Sequence, residues 1–199
     1  MRYAKRGLSI TFPCAAVVLI GCLAYATLSW SEAEPVRGAN LEESSFLAQK
    51  AAGATPTKRA ESLGIKFEKL EPGYLNRCVR SGKLLFTSGH TSKIKGRLGK
   101  DLTTEEGAKA ARESVIEVLR AVWNTHGTLD NLRVVKVLGC VNSSPDFTDQ
   151  PKVINGGSDL LHEIFGKTTD GWHARSALGF ASLPGGAAVE IEAIFEIKD

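Results

Sequence analysis

The C-terminal stretch narrows the architecture more than any other part of this chain. Residues 175–182 (RSALGFAS) and 188–197 (AVEIEAIFEI) flank the tetrapeptide Leu183-Pro184-Gly185-Gly186. Both flanking runs are strand candidates, and the Pro-Gly-Gly between them is turn chemistry. Strand alternation places Arg175, Ala177, Gly179 and Ala181 on one face of the first run, and Ser176, Leu178 and Phe180 on the other. In the second run Glu190 and Glu192 share a face opposite Val189, Ile191 and Ala193. Strands patterned in this way need a sheet with a covered face.

The preceding residues supply the rest of that sheet and its cover. Asn76 to Arg80 and Leu84 to Ser88 are two short strands around the turn Ser81-Gly82-Lys83. A Gly- and Lys-rich loop runs from Thr91 to Asp101. Thr103-Thr104-Glu105-Glu106 is a capping box that opens a long helix. Its apolar positions Ala108, Ala111, Val115, Leu119 and Val122 recur at helical spacing, and Gly127 suits a left-handed C-cap. Leu132 to Asn142 is a β-branched strand. After a turn at Pro145 to Asp149, Pro151 sits at the first position of a second helix, preceded by Asp149 or Gln150. Val153, Ile154, Leu160, Leu161, Ile164 and Phe165 form its stripe, and Gly166 ends it. Gly156 and Gly157 cost a helix about 1 kcal/mol each against Ala, which implies close packing or a nearby ligand. The order strand, strand, helix, strand, helix, strand, strand predicts an α+β domain, a sheet with helices on one face.

Residues 1–30 have a different character. Arg2, Lys5 and Arg6 precede a run from Leu8 to Trp30 without a charge. Such a run fits either a secretory signal peptide or an N-terminal membrane anchor. Ala24-Tyr25-Ala26 fits a small-x-small cleavage site. Leu19-Ile20-Gly21-Cys22 fits a lipobox that would lipidate Cys22, although the following residues stay apolar. Basic residues ahead of the run put the N-terminus in the cytoplasm and the domain outside it. The expectation is an exported protein, with membrane contact confined to the N-terminal segment. Residues 31–62 are polar and Ala/Glu/Lys-rich and read as a linker, with a short helix around Leu41 to Ala52. Residues 63–199 are expected to form the domain.

Charge and cysteine usage exclude several functions. A net charge of +3 over 199 residues is too weak by itself to argue for a nucleic-acid partner. The one basic cluster, Lys93, Lys95, Arg97 and Lys100, contains no aromatic and reads as a solvated hairpin tip. Cys78 and Cys140 show no zinc spacing, and no metal or cofactor site is expected. A disulfide between them is open to a protein outside the cytosol, but two strand positions seldom bring sulfurs together. His90, His126, His162 and His173 are scattered and suit surface or cap positions.

The chemistry concentrates at Arg175. Small neighbours at Ala177 and Gly179 leave space beside its guanidinium, as a carboxylate-binding site requires. If the strands lie side by side, Glu190 falls near Arg175. The bland alternative is a cross-strand salt bridge on a solvated face.

Several motifs resemble those of the RidA/YjgF family, also called the endoribonuclease L-PSP family. Leu84-Leu85-Phe86-Thr87-Ser88-Gly89-His90 resembles its "ITSGQ" strand, and Val153-Ile154-Asn155-Gly156 its "VN" helix start. His173-Ala174-Arg175-Ser176, Ser182-Leu183-Pro184 and Val189-Glu190-Ile191-Glu192-Ala193 resemble "P-A-R-S…L-P…V-E-I-E-A". Val141 to Pro151 resembles a less-studied RidA-like branch. The resemblance implies a chorismate-mutase-like fold, a mixed sheet with two helices on one face, and a homotrimer with pockets between subunits. It implies that Arg175 holds a substrate carboxylate, that Glu190 positions a water, that Asn155 lines the pocket, and that backbone amides at Gly89 and Ala177 meet the ligand. The pocket Tyr of the family falls on Leu75, with Tyr74 one residue away. Ala177 stands where well-studied members have Cys, and His173 replaces the usual Pro. The implied activity is hydrolysis of small 2-imino acids to 2-keto acids. A trimer that binds small carboxylic acids without turnover is the alternative, and an endoribonuclease ranks third.

Overall fold

The computed structural model describes residues 53–199. The expected leader at 1–30 and the helix expected around Leu41 to Ala52 lie outside the described residues. Nine elements follow in order: α1 (Pro56–Ser62), β1 (Cys78–Ser81), β2 (Leu84–Thr87), β3 (His90–Thr91), α2 (Thr104–His126), β4 (Leu132–Asn142), α3 (Gln150–Phe165), β5 (Ala174–Phe180) and β6 (Val189–Ile197). A π-helical turn at Gly166–Asp170 extends α3, and a 3-10 turn at Pro184–Gly186 joins β5 to β6.

The strands form one mixed sheet in the order β1-β2-β6-β4-β5, with β3 also on β6. The β4–β5 pair is parallel and the others are antiparallel. A parallel pair needs a crossover, and α3 provides it. Both long helices lie on the same face. The side chains between them and the sheet are buried: Val115, Leu119 and Val122 from α2; Ile154, Leu161 and Ile164 from α3; Val134, Val137, Ile191, Ala193 and Phe195 from the strands. This is the α+β architecture that the sequence pattern predicts.

Local signals account for the helix ends. Thr103 accepts from the Glu106 amide at 3.2 Å, and Glu106 accepts from the Thr103 amide at 2.8 Å. Gly127 closes α2 at φ +89, a conformation that costs Gly little and a β-carbon much. Pro151 occupies the first turn of α3, as predicted, and Asp149 precedes it without a side-chain cap.

One boundary differs from expectation. Pro56–Ser62, read as linker, is the helix α1. Thr55 caps it, Ala60 is fully buried, and Arg59 Nε donates to the Ile164 carbonyl at 2.5 Å. One buried methyl in two turns is too weak a stripe to register as periodicity, so tertiary contact with α3 decides this segment. The glycines of α3 follow one of the two expected readings, close packing. A β-carbon on Gly156 would run into the Ala108 carbonyl of α2, and one on Gly157 would lie 2.9 Å from Val115 Cγ2 and 3.1 Å from Ile191 Cδ1. Close helix packing, rather than a ligand, explains both.

The other face of the sheet has no cover among the described residues. Val79, Phe86, Val135, Leu178 and Phe180 are exposed there, and Leu178 stands 49% open. Register sets Val79 beside Phe86 and Phe86 beside Ile194, so the apolar groups run across the sheet in a row. Glu190, Glu192 and Cys140 share this face. Cys78, by contrast, joins the helix-side core three strands away from β4. Neighbouring strands lie about 4.8 Å apart, so the separation is far beyond disulfide reach. Both cysteines are free.

Candidate functional site

Arg175 leaves the helix-side face of β5 and is held by α3. Its Nη1 donates to Asn155 Oδ1 at 2.9 Å and to Ser158 Oγ at 3.1 Å, and its Nη2 to the Pro151 carbonyl at 3.3 Å. The start of α3 faces β5 because the two small residues that follow Arg175 on its face, Ala177 and Gly179, let the helix approach. A β-carbon on Gly179 would press on Ser143 Oγ at 2.7 Å and Gln150 Nε2 at 2.8 Å. All three acceptors on the guanidinium are neutral, and no carboxylate pairs with it among the described residues. Burial pulls the guanidinium below its ordinary range, and the more distant charge of Asp159 opposes that pull. The Nε–H and one Nη2–H are left over. A half-buried cation with spare donors is equipped for an anion that the chain itself does not supply.

Glu190 does not join Arg175 within one chain. The expectation of adjacent strands is corrected by β4, which lies between β5 and β6: Cys140 pairs with Glu190 on one side and Leu178 on the other. The two side chains also leave opposite faces of the sheet, since Val189 and Ile191 fill the helix-side core and Arg175 binds a helix. The salt-bridge alternative fails for the same reason. Strand alternation is legible in the sequence; strand order is not, because it depends on the parallel β4–β5 pairing.

Glu190 has its own surroundings. Its carboxylate folds over Gly89, where a β-carbon would collide with it. Partial burial, and then the nearby charge of Glu192, raises its pKa above the usual carboxylate range. Gly89 borders an open groove of about 490 Å³ that is also lined by Tyr74, Leu75, Arg77, His90 and Glu117. Tyr74 is fully exposed and Leu75 largely so, and both project from the loop ahead of β1. The sequence-predicted residues therefore fall into two separate clusters. One holds Arg175 and Asn155, with Ala177 two residues along the edge strand β5. The other holds Glu190 against Gly89, which also borders the groove lined by Tyr74.

Two histidines depart from the expected surface or cap positions. His90 is buried beneath the groove, and burial lowers its pKa, while a 3.4 Å contact to the Arg77 carbonyl acts against that shift. His173 enters the Arg175 network: its Nε2 lies 3.1 Å from Ser158 Oγ. Neither role leaves a sequence signal, because both depend on which strand faces which helix. His126 lies in the last turn of α2, and its Nε2 bonds Asn131 Oδ1 just past the helix end at 2.8 Å. No group of metal-binding side chains occurs among the described residues.

Comparison with known proteins follows the same outline. The family model described as Endoribonuclease L-PSP matches residues 69–197. A curated relative, Protein TCP17 of Trypanosoma cruzi, is 44% identical over 148 residues, which cover 70% of this chain and 92% of that protein. Protein Atu1372 of Agrobacterium tumefaciens, whose crystal structure is described as having unknown function, is 33% identical with a TM-score of 0.65, covering 77% of this chain and 99% of that one. A structure from Shewanella oneidensis MR-1, named for an endoribonuclease, is 25% identical with a TM-score of 0.66, covering 72% and 100%.

Proposed function

This chain belongs to the RidA/YjgF, or endoribonuclease L-PSP, family, and from that premise we propose that it is a trimeric hydrolase of small 2-imino acids. The observation that carries the proposal is the Arg175 guanidinium, fixed by three neutral acceptors with donors to spare. A 2-imino acid offers a carboxylate for that fork and an electrophilic imine carbon beside it. Water attacks the carbon, a proton moves to the leaving nitrogen, and ammonia departs to leave a 2-keto acid. Arg175 orients the substrate. Glu190, with its raised pKa, holds the attacking water and moves its proton. The backbone at Gly89 and Ala177 and the side chain of Asn155 line the pocket, and Tyr74 closes it.

Assembly follows from the two clusters. A trimer that packs the open sheet faces together buries Val79, Phe86, Leu178 and Phe180 and brings the Glu190 side of one subunit to the Arg175 edge of the next. The same geometry without turnover is a carboxylate-binding module. The endoribonuclease reading has less support, since Arg97 of the small basic cluster is engaged with the Ala181 carbonyl at 2.6 Å. The uncharged run at 8–30 supports an exported location for the domain.

The test couples the protein to an amino acid oxidase that releases 2-imino acids and follows keto-acid formation. Wild type accelerates it. Glu190→Gln abolishes the acceleration but keeps affinity for pyruvate. A wild-type protein that binds pyruvate without acceleration is a binding module, and one that does neither refutes the proposal.

A further inference from the structure

Three hydrogen bonds run in line from the backbone to the guanidinium. The Gly171 carbonyl lies 2.6 Å from His173 Nδ1, His173 Nε2 lies 3.1 Å from Ser158 Oγ, and Ser158 Oγ lies 3.1 Å from Arg175 Nη1. The two ends fix the polarity of the whole chain. A carbonyl can only accept and a guanidinium can only donate. His173 Nδ1 therefore carries the proton, which leaves Nε2 of the neutral ring as an acceptor. The Ser158 hydroxyl donates to that nitrogen and turns its lone pairs toward Arg175.

We propose that His173 is a positioning residue for Arg175, acting through Ser158 to hold one end of the guanidinium so that its free donors face the ligand carboxylate. This inference rests on Arg175 being the carboxylate-binding group. The surroundings favour the neutral ring that the relay needs. Partial burial does so most; the hydrogen bond to the Gly171 carbonyl opposes it, and the electrostatic influence of His162 on α3 and Arg175 on β5 adds to it. Asp159 of α3 acts on Arg175. The His162 ring lies 5.5 Å from that of His173, centroid to centroid. A Pro at 173, the residue of the family pattern, supplies neither ring nitrogen and cannot form the relay.

The experiment combines ¹⁵N-histidine NMR with pyruvate titration of the full chain. At neutral pH, His173 in the ligand-free protein gives the Nδ1–H tautomer, and Ser158→Ala shifts its Nε2 resonance. His173→Phe keeps a ring but no acceptor and weakens pyruvate binding on the order of tenfold, the loss of one buried hydrogen bond. His173→Gln sets an amide oxygen at the reach of Nε2 and restores most of that affinity. Combining His173→Phe with Ser158→Ala adds little further loss, because the two act in series. An Nε2–H tautomer overturns the proposal, as does His173→Phe binding like wild type while Arg175→Ala does not bind. If wild type fails to bind pyruvate at all, the carboxylate reading of Arg175 falls, and the tautomer alone decides the relay. The NMR comparison needs no change at 173, so it also decides the matter if His173→Phe does not fold.

Discussion

Replacing Gly156 by Ala sets two effects against each other, and the structure decides between them. In an isolated helix the change stabilises by about 1 kcal/mol. Here the new methyl would overlap the Ala108 carbonyl oxygen and lie 2.7 Å from the carbonyl carbon and 2.9 Å from Cα. Optimal carbon–carbon contact is about 3.5–4.0 Å. All three atoms belong to the backbone of α2, so no rotamer change relieves the overlap, and α2 and α3 must separate by roughly 1 Å. Overpacking of this kind costs about 1–3 kcal/mol, and unyielding backbone puts this site at the upper end. The net expectation is destabilisation by ~2 kcal/mol, a fall in melting temperature of about 4–8 °C for a domain of this size. The displacement also moves Asn155 and Ser158 against Arg175, so pyruvate affinity falls with stability. Differential scanning calorimetry and a pyruvate titration on the same preparation measure both. A Gly156→Ala protein as stable as wild type, or more so, refutes the close crossing of α2 and α3.

Three further outcomes are expected. Arg175→Ala loses about 2–5 kcal/mol of pyruvate affinity, and Arg175→Lys loses less because it keeps the charge without the planar fork; calorimetric titration measures both, and unchanged affinity removes Arg175 from the site. Gly89→Ala pushes the Glu190 carboxylate aside, a flexible group that yields cheaply, so the melting temperature holds while keto-acid release falls by about 10²-fold; equal turnover denies Glu190 its role. His90 is buried with a lowered pKa, so below its unfolded value of about 6.5 the unfolded chain binds the extra proton. Its contribution to stability is present above that pH and is lost as the pH falls through the lowered folded value, with a slope of at most about 1.4 kcal/mol per pH unit. Glu190, raised, acts in the opposite sense at lower pH, so the decisive quantity is the difference between wild type and His90→Gln in urea unfolding at pH 5 and pH 7. A difference that does not change with pH contradicts the assignment.

Legibility in the sequence followed the range of the interactions. The capping box at Thr103, the αL glycine at 127 and Pro151 in the first turn of α3 are local chemistry and stand where the sequence placed them. The alternation of β5 and β6 also held, because a strand's faces follow from its own residues. Helix α1 escaped because its single buried side chain, Ala60, gains its partners only in the folded domain. The separation of Glu190 from Arg175 escaped for a related reason. Two strands consecutive in the chain invite pairing, yet β4 lies between them, and the sequence of β4 says nothing of which neighbour it takes on each side. His173 carries no local signal of its contact, which depends on a serine fifteen positions earlier in the chain.

The central claim is that Arg175 of one subunit and Glu190 of another complete each site. Mixing complementary variants tests it most directly. Arg175→Ala and Glu190→Gln are each inactive as homotrimers in the oxidase-coupled assay. Unfolded together in equal amounts and refolded, they form mixed trimers in which about a quarter of the sites receive both intact residues. The account predicts that roughly a quarter of wild-type activity returns. If refolded mixtures form mixed trimers yet stay as inactive as the parents, no site is shared between subunits, and the account is contradicted.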